Sequence, residues 1–328
     1  MSNNLNEFFK NHKYILAPMA GVCDVAFRHI CIENGCDLTY SEMISSMGLE
    51  YANEKTKDKL KLANNESKFV VQLFGHDSYV MAKQIEAICD LFDVYKTKNE
   101  HKRRKLLYID INMACPAPKI VKKGDGAGLM CDIKKAQEIV SQCCKVSKVP
   151  ITVKFRRGFN WGEDTSYEFA KTIEQAGASG LCIHGRYAKQ YYRDKADWIC
   201  IKKIADNVDV PVIGSGDIID KNSAEKAFRT GVIAIMIGRA ARGNPLIFNT
   251  VKGINKNADL KDKLTLARRQ LDLFMYYKLK NICDMRKHCI WYTKGMPNSS
   301  YARKKFSKCS SYSDFIDVFN KIEEAYNF

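Results

Sequence analysis

The sequence has no hydrophobic run of about 20 residues, the length that a membrane-spanning helix needs, although 46% of its 328 residues are hydrophobic. Its first residues, MSNNLNEFFKNHK, lack the charged segment and following apolar segment of a secretory signal peptide. A charged fraction of 27% is ordinary for a globular protein. These absences predict a cytoplasmic protein without membrane association.

Disulfide and metal-binding patterns are also missing, despite thirteen cysteines. No Cys-x-x-Cys pair or Cys/His cluster has the spacing of zinc ligands, and Cys143 and Cys144 are merely adjacent. We therefore expect reduced thiols that serve mostly as small core residues, and no bound metal.

Acidic residues are too few to balance the basic ones. Against 53 Lys and Arg there are 37 Asp and Glu, which gives a net charge of +16. Such an excess is explained either by a lysine-rich solvated surface or by attraction to a polyanion such as nucleic acid, because Lys and Arg neutralise phosphates. The charge alone leaves both explanations open.

Short β-rich segments alternate with longer amphipathic segments from residue 14 onward. The predicted strands are residues 14–17, 37–40, 69–73, 106–111, 151–154, 180–183, 210–213 and 233–237. The predicted helices include residues 79–89, 133–146, 167–175, 198–205 and 224–229. Eight βα units in about 240 residues predict an α/β fold, a closed (β/α)8 TIM barrel. A doubly wound open sheet is the alternative, but no Gly-rich dinucleotide-binding turn follows the first strand.

Two of the predicted helices carry start signals. Thr165 with Glu168 has the spacing of a capping box, and Asn222 with Glu225 has the same spacing. We therefore expect helices to begin beside Thr165 and Asn222.

The alternation stops after residue 248, and the rest of the chain is predicted to be helical. We expect a barrel domain over residues 1–250 and a small all-helical domain over residues 251–328. Residues 258–328 contain 14 Lys and Arg against 8 Asp and Glu. Among them are the aromatic residues Tyr276, Tyr277, Trp291, Tyr292 and Tyr301. Basic and aromatic residues together are typical of RNA binding, although the same rings can form the core of a helical bundle.

One cysteine lies where the fourth predicted strand ends. The segment 111–119, INMACPAPK, follows the apolar run 106–109 and places Cys115 directly before Pro116. Pro116 and Pro118 restrict their own φ angles and disfavour helix in the residues before them, so the thiol lies on a stiff turn. We predict that Cys115 is the chemical centre of the protein.

Other polar residues follow the predicted strands in the same way. Because the carboxyl ends of barrel strands meet at one face, a site is expected there. Lys154 and His184, which taken singly are ordinary surface or structural residues, are aligned at that face. Glycines after strands seven and eight expose backbone N–H groups, and Arg239 adds a charged fork, so a phosphorylated cofactor is expected.

Several motifs, taken in order, resemble the tRNA-dihydrouridine synthases. They are APMAGVCDVAFR, VVQLFG, DINMACPAPKIVKKGDGAGLM, VKFRRG, IHGR, PVIGSGDI and IGRAARGNP, and MRKHCIWYTKGMP resembles the bacterial DusB branch. The resemblance implies an FMN-binding TIM barrel followed by a helical tRNA-binding domain. The implied reaction reduces the C5–C6 double bond of particular tRNA uridines, with the D-loop as the expected location and NADPH (or NADH) as the reductant of the flavin. No protein partner is implied, and a monomer is the default.

The resemblance also implies residue roles. Pro18 to Ala20 would lie along the flavin ring, Gln72 and Lys154 would bind its polar edge, and the residues after strands seven and eight would hold the phosphate. The implied cofactor-binding set is Pro18, Met19, Ala20, Gln72, Lys154, His184, Ser215, Gly216, Asp217, Gly238 and Arg239.

Cys115 matches the proton donor of the family. Hydride would pass from the flavin to C6 of uracil, and the thiol would protonate C5. An ordinary thiol, with a pKa of about 8.5, is mostly protonated at neutral pH and can act as an acid. Asn112 and Arg156 are the expected substrate-binding residues, and the uridine would be flipped out of the tRNA.

The chain departs from the family pattern at two positions. Ala114 replaces a usual glycine and would be strained if its φ were positive. Ser215 replaces a usual asparagine and reaches less far, which would weaken flavin binding.

Two other functions remain as alternatives. One is a different FMN barrel that acts on a small pyrimidine, similar to dihydroorotate dehydrogenase, although a small substrate does not need a basic helical domain. The other is a non-catalytic tRNA-binding protein, although the chain retains Cys115, Lys154 and His184.

Overall fold

Eight parallel strands and fifteen α-helices are formed within residues 2–51, 53–98, 105–254, 259–297 and 299–326, which this structure, a computed structural model, describes. The strands are β1 (Tyr14–Leu16), β2 (Tyr40–Ser45), β3 (Lys68–Phe74), β4 (Lys105–Met113), β5 (Ile151–Arg156), β6 (Gly180–His184), β7 (Val212–Ser215) and β8 (Ala234–Ile237). The helices of the barrel region are α1 (Ser2–Asn11), α2 (Val25–Glu33), α3 (Ser46–Glu50), α4 (Glu54–Lys57), α5 (Ser78–Lys98), α6 (Pro118–Val121), α7 (Ile133–Val146), α8 (Ser166–Gln175), α9 (Trp198–Ala205), α10 (Lys221–Phe228) and α11 (Ile247–Val251). The helices after them are α12 (Leu260–Tyr276), α13 (Met285–Tyr292), α14 (Ser299–Phe306) and α15 (Tyr312–Ala325).

The strands form a closed barrel. They pair in the order β1-β8-β7-β6-β5-β4-β3-β2, and all pairs are parallel. The remaining gap, between β1 and β2, is closed by a parallel bridge between Ile15 and Leu38, where the Leu16 N–H donates to the Leu38 oxygen at 3.0 Å. The predicted TIM barrel is therefore confirmed, and the doubly wound alternative is wrong because its strand order would reverse within the sheet.

The predicted position of the second strand is wrong by several residues. Residues 37–40 were expected to form it, but β2 begins at Tyr40 and continues to Ser45. Leu38 only bridges β1, whereas Met43 and Ile44 pair with β3. The polar residues within β2 interrupt the apolar pattern on which the prediction depended, and β7 likewise begins two residues later than predicted.

Helix positions agree with the sequence pattern better than the helix caps do. The predicted helices 133–146 and 198–205 have the bounds of α7 and α9. Helices also begin beside Thr165 and Asn222, at Ser166 and Lys221, but the predicted Thr165 capping box is wrong and Asn222 is not the cap. The Thr165 side chain makes no capping bond, since Asp164 accepts from the Ser166 N–H at 3.0 Å, and α10 is capped by Asp220 with Ser223. In both cases an aspartate near the helix start accepts the bond.

The two ends of the barrel are filled differently. At the amino end, α1 packs Leu5, Phe8 and Phe9 into a buried cluster with strand residues that include Ile15 and Tyr108. This apolar cluster closes the amino end of the barrel. At the carboxyl end, the inward-facing residues are mostly polar.

The C-terminal helical region packs against α2 and the loop before β3 through α12 and the residue that follows it. The Tyr277 hydroxyl lies 2.6 Å from Nδ1 of His29 and accepts the Asn64 N–H at 2.7 Å. Arg269 forms an ion pair with Glu33 at 2.6 Å. The predicted division after residue 250 falls near the end of α11, at Val251, and it stays a prediction.

The aromatic residues of this helical region serve different purposes. Tyr292 is fully buried, and its hydroxyl donates to Gln270 at 2.9 Å. Tyr277 contacts His29, whereas Tyr276 is 63% exposed and Tyr301 is 47% exposed. Some of these rings therefore form core and contacts between the two regions, as one of the two sequence interpretations expected.

Among the described residues, no helix is both long enough and apolar enough to cross a membrane. The thirteen cysteines all lie within the described ranges, and each of them is a free thiol.

A buried ion pair connects α2 to the loop before β3. Glu66 accepts from Arg28 Nε at 2.6 Å, from the Thr39 hydroxyl at 2.6 Å and from the Ala63 N–H at 2.6 Å. Arg28 and Glu66 are both almost inaccessible to solvent. Since all these groups are buried away from solvent, each depends on the others for hydrogen bonds.

Replacing Glu66 by alanine is expected to lower the free energy of unfolding by about 3–5 kcal/mol, because it leaves the Arg28 guanidinium buried without its partner. Urea unfolding followed by circular dichroism measures the change. Glu7→Ala, which breaks an exposed ion pair with Lys10, is the control and should have little effect. Equal losses in both variants would contradict the assignment.

Candidate active site

A cavity of about 840 Å³ opens at the carboxyl end of the barrel strands. Its volume is within the range of sites for small molecules and cofactors. Of the fourteen residues predicted from the sequence, the thirteen that line it are Pro18, Met19, Ala20, Asn112, Cys115, Lys154, Arg156, His184, Ser215, Gly216, Asp217, Gly238 and Arg239. Gln72 lies outside the lining and is fully buried.

The parallel register brings the polar side chains together. Asn112 on β4 is paired with Lys154 on β5, Arg156 with His184 on β6, and His184 with Ser215 on β7. Residues that alternate along a strand share a face, so each of these side chains points into the barrel. Side chains that are far apart in sequence thus become neighbours around one opening.

The turn that carries Cys115 is held by hydrogen bonds with side chains of β4 and β5. The Asn112 Oδ1 accepts the N–H groups of Ala114 and Cys115 at 3.0 and 2.9 Å. Arg156 Nε donates to the Ala114 oxygen at 2.7 Å, and the Ala127 N–H donates to the Cys115 oxygen at 3.0 Å. The half-buried thiol is therefore presented to the cavity by a turn with few degrees of freedom.

Ala114 fits this turn without backbone strain. It is not among the residues with positive φ, which apart from glycines are Tyr191, Asp194, Asp217 and Lys278 in the described part of the chain. The condition under which alanine would be strained is therefore not met.

A chain of hydrogen bonds supports Asn112 from within the barrel. Asp110 accepts from the Thr152 hydroxyl at 2.5 Å and from Gln72 Nε2 at 2.7 Å. The Gln72 oxygen in turn accepts from Asn112 Nδ2 at 3.0 Å. This direction leaves the Asn112 oxygen free for the Cys115 turn. The predicted contact between Gln72 and a flavin stays a prediction.

Lys154 and Asp110 share this dry interior. Burial lowers the pKa of Lys154 and raises the pKa of Asp110 from 3.8 to about 7. Lys154 Nζ donates no hydrogen bond to any residue that the structure describes, although its side chain lines the cavity. Burying an ammonium group without an acceptor is energetically unfavourable, so the Lys154 side chain is suited to bind a ligand.

Arg156 is occupied mainly by backbone oxygens. Its Nη1 donates to the oxygens of Tyr187 and Tyr191 at 3.0 and 3.2 Å, in addition to the bond to Ala114. Burial lowers its pKa to about 10. Arg156 therefore ties two loops around the cavity, and its direct contact with a substrate stays a prediction, as does that of Asn112.

His184 is a neutral imidazole among cations. Burial, followed by the charges of Arg156, Lys154, Arg186 and Arg239, holds its pKa well below the usual value. Its Nε2 lies 3.4 Å from Arg186 Nη1 and accepts from that donor. The histidine therefore contributes no charge of its own at neutral pH.

Backbone N–H groups at the ends of β7 and β8 form a cradle for an anion. Gly216 has a φ of +137°, and a Cβ there would lie 2.4 Å from Cβ of Ala196, so only glycine fits. In the described part of the chain, the N–H groups of Gly216, Asp217, Gly238 and Arg239 have no protein acceptor. Unpaired N–H groups of this kind bind phosphate.

The Asp217 carboxylate binds two arginines, and it is not a group that would bind an anion in the cradle. Its carboxylate accepts from Arg186 Nη2 at 2.7 Å and from Arg239 Nη2 at 2.9 Å. Burial acts to raise the pKa of Asp217, but the hydrogen bond from the Ala196 N–H, together with the two arginines, holds it below its usual value. Within the predicted phosphate set, Asp217 is therefore suited to contribute its backbone N–H.

Four residues at the site were not singled out from the sequence. Arg186 lies behind His184, and Tyr192, Arg242 and Lys294 line the cavity. Arg186, Arg242 and Lys294 belong to the motifs IHGR, IGRAARGNP and MRKHCIWYTKGMP, and membership of these motifs is the signal that could have found them.

Comparison with known proteins adds to this geometry. The sequence model of a family described as "Dihydrouridine synthase (Dus)" matches residues 15–327. The tRNA-dihydrouridine synthase B of Pasteurella multocida (strain Pm70) is 33% identical over 308 residues, covering 90% of this chain and 88% of that protein. The tRNA-dihydrouridine synthase B of Proteus vulgaris is 32% identical and covers 93% of each. A solved structure of FabK from Thermotoga maritima aligns with 73% of this chain and 62% of that chain at 14% identity and a TM-score of 0.42, too low to support an argument.

Replacing Asp110 by asparagine tests the state of the buried carboxyl. Its folded pKa, about 7, lies above the unfolded value, so between about pH 4 and 7 the folded state binds the extra proton and wild-type stability falls as pH rises. Relative to wild type, the variant should therefore gain up to about 1.4 kcal/mol in free energy of unfolding per pH unit across that range.

Urea unfolding at several pH values measures this difference. Asp317→Asn, on the exposed side of α15, removes a surface carboxyl far from the barrel interior and is the control for the loss of one acidic residue. A difference between Asp110→Asn and wild type that does not vary with pH would show that the carboxyl titrates normally.

Proposed function

The chain belongs to the dihydrouridine synthase (Dus) family of oxidoreductases, and we propose that it is a flavin-dependent tRNA-dihydrouridine synthase that reduces the C5–C6 double bond of uridines in the D-loop of tRNA. The proposal is supported by relatives whose names state this activity and whose length this chain nearly spans. One observation carries it at the site. The thiol of Cys115 and the unpartnered ammonium of Lys154 line the same cavity.

The residues present fit FMN. The N–H groups of Gly216 and Gly238, with the guanidinium of Arg239, suit a terminal phosphate. Lys154 supplies a cation for the electron-rich edge of the flavin ring, and Pro18, Met19 and Ala20 supply a mainly apolar surface beside it. When bound, FMN supplies the hydride for uracil C6 and receives its electrons from NADPH or NADH.

Cys115 completes the reduction as the proton donor. Addition of hydride at C6 leaves negative charge at C5 and O4, and transfer of the thiol proton to C5 completes the saturation. The turn is fixed because the Cys115 N–H donates to the Asn112 oxygen and the Ala114 oxygen accepts from Arg156, so the thiol does not have to be ordered when the substrate arrives.

The substrate enters as an extruded base. A uracil within a stacked helix cannot reach a cavity at the end of a barrel, so the nucleotide leaves the stack. The net charge of +16 and the basic helical region favour the remaining contacts with the RNA backbone.

Purified protein reconstituted with FMN is expected to form dihydrouridine when incubated with NADPH and an unmodified tRNA transcript. Mass spectrometry of nuclease fragments identifies the product, which is 2 Da heavier at each site, and maps it to the D-loop. Turnover of a free pyrimidine with no product in tRNA would instead support the enzyme type that acts on small molecules. Binding of tRNA without either reaction would support a non-catalytic role.

Cys115→Ala is expected to bind FMN and tRNA normally and to accept electrons from NADPH, yet to form dihydrouridine at least about 100-fold more slowly, since a positioned acid contributes 10²–10⁴ in rate. Single-turnover mixing of the prereduced protein with tRNA measures the step. Cys131→Ala removes an exposed thiol that is outside the cavity lining, and it should keep the wild-type rate. An active Cys115→Ala protein would refute the role of the thiol.

A further inference from the structure

Two basic side chains without a role in the proposed cofactor cradle lie at the seam where the barrel meets the C-terminal helices. Arg242, in the loop after β8, and Lys294, just after α13, both line the cavity. Neither side chain forms a hydrogen bond or an ion pair with the residues that the structure describes. The other arginines that line the cavity differ in this respect, because Arg156 donates to backbone oxygens and Arg239 pairs with the carboxylate of Asp217.

The Arg242 guanidinium is held in place although it has no acceptor. It lies over the Trp291 ring, 5.0 Å from the centroid, in a cation–π contact that restricts its position. Its Nε is fully buried with no partner. Burial and the nearby charge of Arg239 lower the pKa of Arg242, which shows that the surroundings disfavour the cation. Such a group is stabilised when an anion supplies the missing acceptor.

The seam is rigid at this point. Gly243 has a φ of +68°, and a Cβ there would lie 2.3 Å from the carbonyl carbon of Trp291. The loop after β8 is therefore pressed directly against the backbone of α13. This contact fixes the backbone of the Arg242 loop relative to Trp291, so the arginine does not have to be ordered when it binds an anion, whereas Lys294, three residues after Trp291, is exposed.

We propose that Arg242 and Lys294 bind a phosphodiester of the RNA substrate next to the nucleotide that enters the cavity. The inference rests on the proposed function, and it assigns a substrate contact to residues with no role in the cofactor cradle. Arg239 is oriented by Asp217 at that cradle, whereas Arg242 lies over Trp291 of α13 and Lys294 is exposed just after that helix. A flexible, solvent-reachable lysine beside a fixed arginine suits a backbone phosphate at the mouth of a site.

The test compares Arg242→Gln and Lys294→Gln with Arg229→Gln. Arg229 follows α10, whose end lies toward the amino end of the barrel, and it is absent from the cavity lining. Affinity for a fluorescent, unmodified tRNA transcript is measured by anisotropy at several salt concentrations, with protein that contains FMN. Binding of FMN and the rate of its reduction by NADPH are measured separately.

Each cavity variant should weaken tRNA binding by about tenfold and reduce the slope of log K against log salt by about one, because one phosphate contact is lost. FMN affinity and NADPH kinetics should stay at wild-type values, and Arg229→Gln should match wild type in every measurement. Lys294 is exposed, so its variant keeps the test valid even if Arg242→Gln disturbs packing.

Three results would overturn the inference. Weaker FMN binding in Arg242→Gln would assign the arginine to the cofactor phosphate. A raised KM for NADPH with unchanged tRNA affinity would assign the pair to the reductant. Unchanged tRNA affinity in both variants, with all else equal, would show that no phosphate binds there. Failure of the proposed function is a separate result, namely wild-type protein that binds tRNA but forms no dihydrouridine.

Discussion

The central constraint of this structure is that eight parallel strands close into one barrel and must fill its interior. At the amino end, apolar side chains of α1 do so, with Phe9 packed near Tyr108. At the carboxyl end, Asn112, Lys154 and His184 face inward instead. Buried polar groups are tolerated only when hydrogen bonds or a ligand satisfy them. The apolar amino end therefore stabilises the barrel, and the polar carboxyl end can bind ligands and carry out chemistry.

The polar end is divided between groups that satisfy one another and groups that do not. Asp110, Gln72 and Asn112 form a directed chain whose last acceptor holds the Cys115 turn. Lys154 has no such partner, nor do the backbone N–H groups around Gly216, as far as the described residues extend. The first set fixes geometry, and the second set is where binding energy for an anionic, electron-accepting cofactor can be gained.

The helical region extends the site instead of merely adjoining it. Its contacts with α2 through Tyr277 and Arg269 fix its position, and the close approach at Gly243 joins it to the loop after β8. As a result, Lys294 from one region and Arg242 from the other line the same cavity. A base-modifying enzyme needs such continuity, because the nucleotide must be held at its backbone while its base reaches the reacting atoms.

The sequence by itself determined the architecture and placed thirteen of the fourteen predicted site residues at the cavity, but it did not single out Tyr192, Arg242 or Lys294. The alternation of segments predicts the barrel, and strand ends in a barrel converge, so Cys115, Lys154 and His184 could be placed together without coordinates. It did not determine what each side chain binds. Gln72 was assigned to a cofactor edge, yet its amide joins Asp110 to Asn112. Hydrogen-bond partners depend on which residues meet across strands, and register is not encoded in any single segment.

Tertiary structure alone decided the role of residues whose neighbours are distant in sequence. Tyr277 was a candidate for RNA stacking, but it lies against His29 because α12 packs on α2. Arg242 belongs to a motif but received no role from the sequence, whereas in the folded chain its guanidinium lies over Trp291 and its Nε has no acceptor among the described residues. Local pattern governs strands and helices, since it reflects periodic burial. Desolvation and unpaired charge arise from packing between segments, and they become visible only when the chain is folded.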